Sequence, residues 1–192
     1  MIERVMAEAG LAPPQLEFVA AAIGPGGFTG IRVGLAAAHG IALAAGARLI
    51  GVTSFAAVAV RIAGTTEPAC EKLLVALESR RADLYVQLFA RNGASPLAAP
   101  QALLADQLGD YLARLHGAPL LIAGDAAEAA AAALGGCVRC AVTQNSAPDA
   151  QGVAAAALVE LRCGPTADPV RPLYLRPPDV TPPRRPITVS ST

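Results

Sequence analysis

Residues 24–34 read GPGGFTGIRVG, and the apolar run LAAAHGIALAAG follows at once. The stretch sits between FVAAAIG, which reads as a short buried strand over Phe18 to Ile23, and RLIGVTS, a second short strand. Pro25 fixes the entry to the turn, and the helix that follows runs from about Phe28 to Ala45, with Gly46 closing it. Thr29 is the expected cap. A strand, a tight turn, a helix and a further strand predict a parallel, right-handed α/β unit.

Three uses compete for the glycines. A glycine turn before a helix is a natural anion site, but a P-loop ends in Gly-Lys-Ser/Thr, and GFTGIR has no lysine there. A dinucleotide turn needs an acidic residue at the end of the next strand, and RLIGVTS offers none. Some of the glycines serve the turn itself, where positive φ is needed. Within the helix, Gly30, Gly34 and Ala38 recur every four residues with Ala37 beside them. Each interior glycine costs about 0.5–1 kcal/mol against alanine, so the stripe implies a second helix lying very close. That helix belongs either to this chain or to another protein. Arg32 and His39 stand at the edges of the stripe.

Elsewhere the pattern is mixed. MIERVMAEAG places Ile2, Val5, Met6 and Ala9 on one helical face, with Gly10 as its stop. Thr53 or Ser54 caps FAAVAVRIAG. After GTTEP, Leu73 to Leu77 and Leu84 to Phe89 read as two strands around a polar turn, with Tyr85 and Gln87 facing away from Leu84, Val86 and Leu88. A polar loop, a helix in ADQLGDYLARLHG and a strand in PLLIAG come next. An Ala-rich helix ending at Gly135 and Gly136, a strand in CVRCAV, a last helix capped near Asp149 and a proline-rich tail complete the chain. A boundary near residue 66 divides a first lobe, 1–66, from a second, 67–192.

Composition excludes several classes. Lys+Arg and Asp+Glu are 15 each, so the net charge is zero, and the chain lacks the overall basic balance of a protein that binds nucleic acid alone. Hydrophobic residues are 54% but aromatics only 4%, so the core depends on close backbone approach. Cys137 and Cys140 form a lone C-x-x-C without a second pair at zinc spacing. The least charged stretch, Val33 to Ala47, rises about 22 Å as a helix, short of the ~30 Å hydrocarbon thickness. A soluble, cytoplasmic protein with no membrane partner is expected. The two histidines lack nearby acids, and no nucleophile or metal-ligand set for a protease stands out.

AIGPGGFTGIRVGLAAAHGIALAAGARLIGVTSFAAVA closely resembles the hallmark stretch of the TsaB (YeaZ) family, Gly-Pro-Gly-Ser-Phe-Thr-Gly-x-Arg-x-Gly running into an alanine-rich helix. VALESRRADLYVQLF resembles the family's Ala-x-Asp-Ala-Arg-x-x-x-x-Tyr hairpin, and PLYLRPPDVTPP its closing Tyr-Leu-Arg-x-Pro segment. The resemblance implies an actin-like ATPase (ASKHA, ribonuclease H-like) fold of two similar lobes. It implies a non-catalytic subunit of the complex that forms N6-threonylcarbamoyladenosine at position 37 of tRNA, pairing with a TsaD-like catalytic paralogue. A TsaE-like ATPase joins them, a homodimer forms over the same surface, and tRNA is met only through the complex. ATP is used by the complex and no cofactor is assigned to this chain. Older naming ties the family to M22 glycoproteases. The implied partner interface is Gly30, Arg32, Gly34, Leu35 and Ala38, beside the motif turn Gly24, Pro25, Gly26, Gly27, Phe28 and Thr29. Three departures stand out. Gly27 replaces the usual Ser, Glu78-Ser79-Arg80 replaces Asp-Ala-Arg, and the family's opening strands, which precede the helix at Met1, are not in this sequence. The first lobe is therefore expected to lack its opening strands and to leave apolar faces uncovered. The competing reading is an actin-like nucleotide-dependent transferase or kinase that binds ATP at Gly24–Gly30.

Overall fold

The computed structural model describes residues 1–63, 70–91, 95–113, 119–135, 140–143, 146–164 and 169–176. Helix α1 (Ile2–Glu8) leads through a 3₁₀ turn at Pro13–Gln15 into strand β1 (Phe18–Gly24), helix α2 (Phe28–Ala45), strand β2 (Arg48–Thr53) and helix α3 (Ser54–Ala63). Strands β3 (Lys72–Glu78), β4 (Asp83–Ala90) and β5 (Gln101–Leu104) follow, then helix α4 (Leu108–Ala113), strand β6 (Leu120–Ala123), helix α5 (Ala127–Leu134), strand β7 (Cys140–Val142) and helix α6 (Ala150–Cys163).

Two sheets result. β1 and β2 pair in parallel, in register from Phe18 opposite Arg48 to Ala22 opposite Val52. The larger sheet runs β5-β4-β3-β6-β7, with β3 antiparallel to β4 and parallel to β6. Each sheet holds a parallel strand–helix–strand unit, β1-α2-β2 in one and β6-α5-β7 in the other. Their outer neighbours differ. β6 has β3 on its far edge, whereas the far edge of β1 carries no strand among the described residues. Arg48 N–H donates to the Glu17 carbonyl at 2.9 Å. That register turns the backbone groups of Val19 and Ala21 toward β2 and those of Phe18, Ala20 and Ala22 toward the open edge.

The large sheet is covered on both faces. Leu74, Ala76, Val86, Leu88, Leu120 and Ile122 pack on α4 and α5, while Leu73, Val75, Leu77, Phe89 and Leu121 pack on Phe55, Val58 and Ile62 of α3. The alternation read in LYVQLF holds: Leu84, Val86 and Leu88 face α4 and α5, and Tyr85 and Phe89 face α3. α3 also packs on α6, whose Ala156 and Ala157 meet Ile50, Val52 and Ala57. The two helices approach so closely that a Cβ on Gly152 would lie 2.5 Å from the Ala57 carbonyl oxygen. An alanine-based core achieves contact by this route rather than by large side chains. α6 thus lies on the small sheet, as does Val170, which contacts Gly51.

Several expected details hold. Gly46 ends α2 at φ 66°, Thr53 Oγ1 accepts from Ala56 N–H at 3.0 Å, and Asp149 caps α6 by accepting from Gly152 N–H at 2.7 Å. Others do not. Residues Gln101–Leu104, read as loop, form edge strand β5 on β4, since neither their side chains nor their length carry a strand signal strong enough to see alone. The apolar face of α1 has no core to join: Ile2 is 49% exposed and Val5 56%. Cys137, Gly136, His116 and the two neighbouring arginines of the proline-rich tail, Arg184 and Arg185, lie outside the described residues, and at Cys140 only the strand backbone is described.

α2 is longer than the uncharged stretch suggested. Its 18 residues have a mean hydropathy of 1.4 and are long and apolar enough to cross a membrane by length and composition. Here it lies along β1, burying Leu35, Ala38 and Ala42.

Candidate functional site

The glycine turn joins β1 to α2 as expected, with work divided among its residues. Gly24 has φ 106°, and a Cβ there would meet Ile31 Cδ1 at 2.9 Å and the Leu173 carbonyl at 3.2 Å. This glycine serves the turn and the strap that crosses it, where Leu173 N–H donates to the Ile23 carbonyl at 2.7 Å. Pro25 is buried and its peptide bond to Gly24 is cis. Gly27 is the N-cap of α2 and supplies no side-chain bond to the first turn. Thr29 is not the cap, because the helix has begun one residue earlier, at Phe28.

Along α2 the residues of the implied interface separate onto different sides. Leu35 and Ala38 are 5% and 7% exposed and pack on Ala21 of β1, so these two are core residues. The period of 3.6 residues carries a four-residue stripe around the helix, which is why Ala38 leaves the line of Gly30 and Gly34. Gly30, Gly34, Ala37 and Ile41 line a groove of about 750 Å³ whose other wall is β1, with Leu16 and Ile2 at its margin. Farther round stand Thr29, Val33, Ala36, Gly40 and Ala44, all exposed. This outward stripe is small-sided and uncharged. A Cβ at Gly34 or Gly40 would meet no atom within 4 Å beyond the helix's own backbone. The sequence reading followed the glycines; the helical period places this second stripe beside them. Val33 and Leu43, at 64% and 86% exposure, are its apolar shoulders.

Arg32 leaves α2 on another side, into a cleft between the two sheets. Its guanidinium lies 3.7 Å from the Phe28 ring centroid, and its Nε–H donates to Tyr174 Oη at 2.7 Å. The cleft, of about 540 Å³, is bounded by the glycine turn, the β3–β4 turn Glu78–Arg81, Tyr85 and the strap Leu173–Arg176. In the β3–β4 turn Ser79 Oγ donates to the Asp83 carbonyl at 2.6 Å, with Asp83 Oδ1 2.7 Å away, and it accepts from Arg81 N–H at 3.1 Å. Asp83 is buried and pairs with the Arg176 guanidinium. Arg80 occupies the left-handed region at φ 60°. The serine that replaces the family's alanine is therefore the pin of the turn.

Between β6 and α5, the turn at Gly124–Asp125 has its polar groups taken up within the chain. Gly124 N–H donates to Ser146 Oγ at 2.7 Å, and Asp125 Oδ1 accepts from Glu78 N–H at 2.9 Å. At φ 113°, a Cβ on Gly124 would stand 1.9 Å from the Ala76 carbonyl oxygen. This glycine serves close packing on β3. Among the described residues no group of three His, Cys, Asp or Glu side chains is placed to hold a metal ion.

Comparison with known proteins agrees with this architecture. The family described as TsaD, tRNA N6-adenosine threonylcarbamoyltransferase, matches residues 1–134. The tRNA threonylcarbamoyladenosine biosynthesis protein TsaB of Haemophilus influenzae is 32% identical over 92 residues, 48% of this chain and 38% of that protein. A Mycobacterium leprae protein, ML0378, is 40% identical over 80 residues, 42% of this chain and 20% of its own. The chain thus aligns with less than half the length of the curated relatives it matches. Two solved structures share the fold. One is a protein with similarity to peptidase YeaZ from Pseudomonas aeruginosa, with a TM-score of 0.74 and 21% identity over 92% of this chain and 81% of that one. The other is YeaZ from Pseudomonas aeruginosa, with a TM-score of 0.70 and 22% identity over 91% and 81%. The fold is that of the actin-like ATPases. The chain belongs to the family whose model is described as TsaD, tRNA N6-adenosine threonylcarbamoyltransferase, and within it is similar to the TsaB and YeaZ proteins above.

Proposed function

We propose that this chain takes part in forming N6-threonylcarbamoyladenosine in tRNA, as the non-catalytic subunit that docks on a TsaD-like catalytic paralogue. The observation that carries the reading is the outward stripe of α2: Thr29, Val33, Ala36, Gly40 and Ala44 are exposed and small, and Gly40 has no neighbour beyond its own helix. Such a face lets a second helix approach toward the low end of interhelical distances, about 8 Å. Leu43 and the exposed face of α1 supply further apolar area. Eight of the twelve exposed large hydrophobic side chains among the described residues fall within the first 43 residues. They belong to α1, β1 and α2 and the segments that join them, the part of the chain that carries the stripe.

The partner follows from the family and from the face. A paralogue of the same fold presents a helix of its own, and a second copy of this chain competes for the same surface. A TsaE-like ATPase joins the pair, and ATP is consumed by the assembly that modifies the tRNA. The test is reconstitution. A TsaD-like subunit with its ATPase and carbamoyl donor modifies tRNA when this chain is added and fails without it. Modification of equal rate in its absence overturns the reading. The competing enzyme reading is checked by calorimetry, where the isolated chain shows no sub-millimolar ATP binding.

A further inference from the structure

The chain has no net charge, yet its cations are unevenly placed. Arg32, Arg80, Arg81 and Arg176 all line the cleft between the sheets, with Glu78 the one acid in its wall among the described residues. Asp83, buried behind it, balances Arg176. Among the described residues of its wall, cations outnumber acids. The N-terminus of the 18-residue α2 opens into the same space through Gly26, Gly27 and Phe28, and its N-cap brings no side chain to the first-turn amides. Those amides and the helix dipole favour a negative group there. A third feature is planar surface: Phe28, Tyr85 and Tyr174 are in the wall, and the Phe28 and Tyr174 rings stand 5.9 Å apart at 32°.

We propose that this cleft holds a segment of single-stranded RNA, a phosphate against Arg80 and the α2 N-terminus and a base against the aromatic wall. Guanidinium groups beside aromatic faces are the chemistry by which proteins take unstacked loop nucleotides, whereas paired RNA offers no free base face to such a wall. Arg80 is the hinge of the inference. It stands at the tip of the β3–β4 turn, facing the glycine turn across the cleft. The cleft borders the N-terminal end of α2, since Phe28 and Arg32 belong to both the helix and the cleft wall. RNA there would run alongside a docked catalytic subunit. The inference rests on the tRNA-modifying role proposed above and deepens it: the subunit holds substrate as well as its partner.

The test uses the full chain and a fluorescent RNA hairpin with a loop of about seven nucleotides, followed by anisotropy at low salt. The hairpin binds, and affinity falls as salt rises. Arg80→Gly, which suits the left-handed backbone, weakens binding about fivefold or more, and Arg80→Lys recovers most of it. Binding of Arg80→Gly equal to the parent overturns the proposal. So does a fully paired duplex that binds as well as the hairpin, or ATP that displaces the hairpin at millimolar concentration, which would make the cleft a site for free nucleotide. Gly40→Leu separates the two readings. It disrupts partner docking and leaves hairpin binding unchanged. Loss of hairpin binding with docking intact sinks only the RNA inference, and failure of the parent chain to dock, with Arg80-dependent binding intact, sinks only the docking reading.

Discussion

The Arg32 guanidinium is held between Phe28, over whose ring it lies at 3.7 Å, and Tyr174, whose Oη accepts its Nε–H at 2.7 Å. The two bonded residues are 142 apart in sequence, so the bond ties the strap to the N-terminal part of α2. Tyr174→Phe removes it. A net loss of about 1 kcal/mol is expected, lowering the melting temperature by roughly 2–4 °C. Arg32→Ala also loses the ring contact and costs more. A double-mutant cycle gives less than the sum, because both changes break one bond.

How much of this was legible in the sequence varies with range. The turn, α2 and its Gly46 stop are local, and glycine, proline and the apolar period announce them. The paired strands β3 and β4 were equally readable from Leu73–Leu77 and Leu84–Phe89. Edge strand β5 was not, because its pairing to β4 is long-range and its four residues carry no alternation. The site divides similarly. Gly30 and Gly34 were visible as small residues, but which side of α2 they occupy depends on Leu35 and Ala38 being drawn to Ala21. The cleft could not be read at all, since Arg32, Arg80 and Arg176 come together only through the fold. Ser146 likewise shows its role only when it meets Gly124.

Asp83 is a buried carboxylate at 1% exposure, held by Arg176 and Ser79. Removing one member of such a pair leaves a charge in a dry place. Arg176→Ala is expected to cost about 3–5 kcal/mol, read as a lower denaturant midpoint at unchanged slope. Replacing Asp83 and Arg176 together by apolar residues of similar volume costs less than Arg176→Ala alone.

Tyr111 on α4 carries a phenol whose pKa is raised above its ordinary value of 10.0 by desolvation, with the Leu88 backbone acting in the opposite, smaller sense. The folded state therefore holds this proton more tightly than the unfolded chain does. Its contribution to stability is full below about pH 10 and is lost as pH climbs from there through the folded value. Thermal melts across that alkaline range show the loss, and Tyr111→Phe flattens it.

The open edge of β1 gives a prediction in the backbone. Phe18, Ala20 and Ala22 direct their amides away from β2, and Val19 and Ala21 direct theirs into the ladder. Hydrogen exchange should alternate along the strand, rapid at the first three and slow at the other two. Uniform protection would mean that the edge is covered.

The central claim is that a partner's helix lies against the outward stripe of α2. Sedimentation of this chain with a TsaD-like subunit, parent against Gly40→Leu, tests it most directly. A Cβ at position 40 meets no atom within 4 Å beyond the helix's own backbone, residue 40 is exposed, and leucine favours helix over glycine by up to about 1 kcal/mol, so the variant is expected to stay folded. The account predicts a one-to-one complex with the parent and separate species with the variant. A Gly40→Leu complex as tight as the parent's would contradict it.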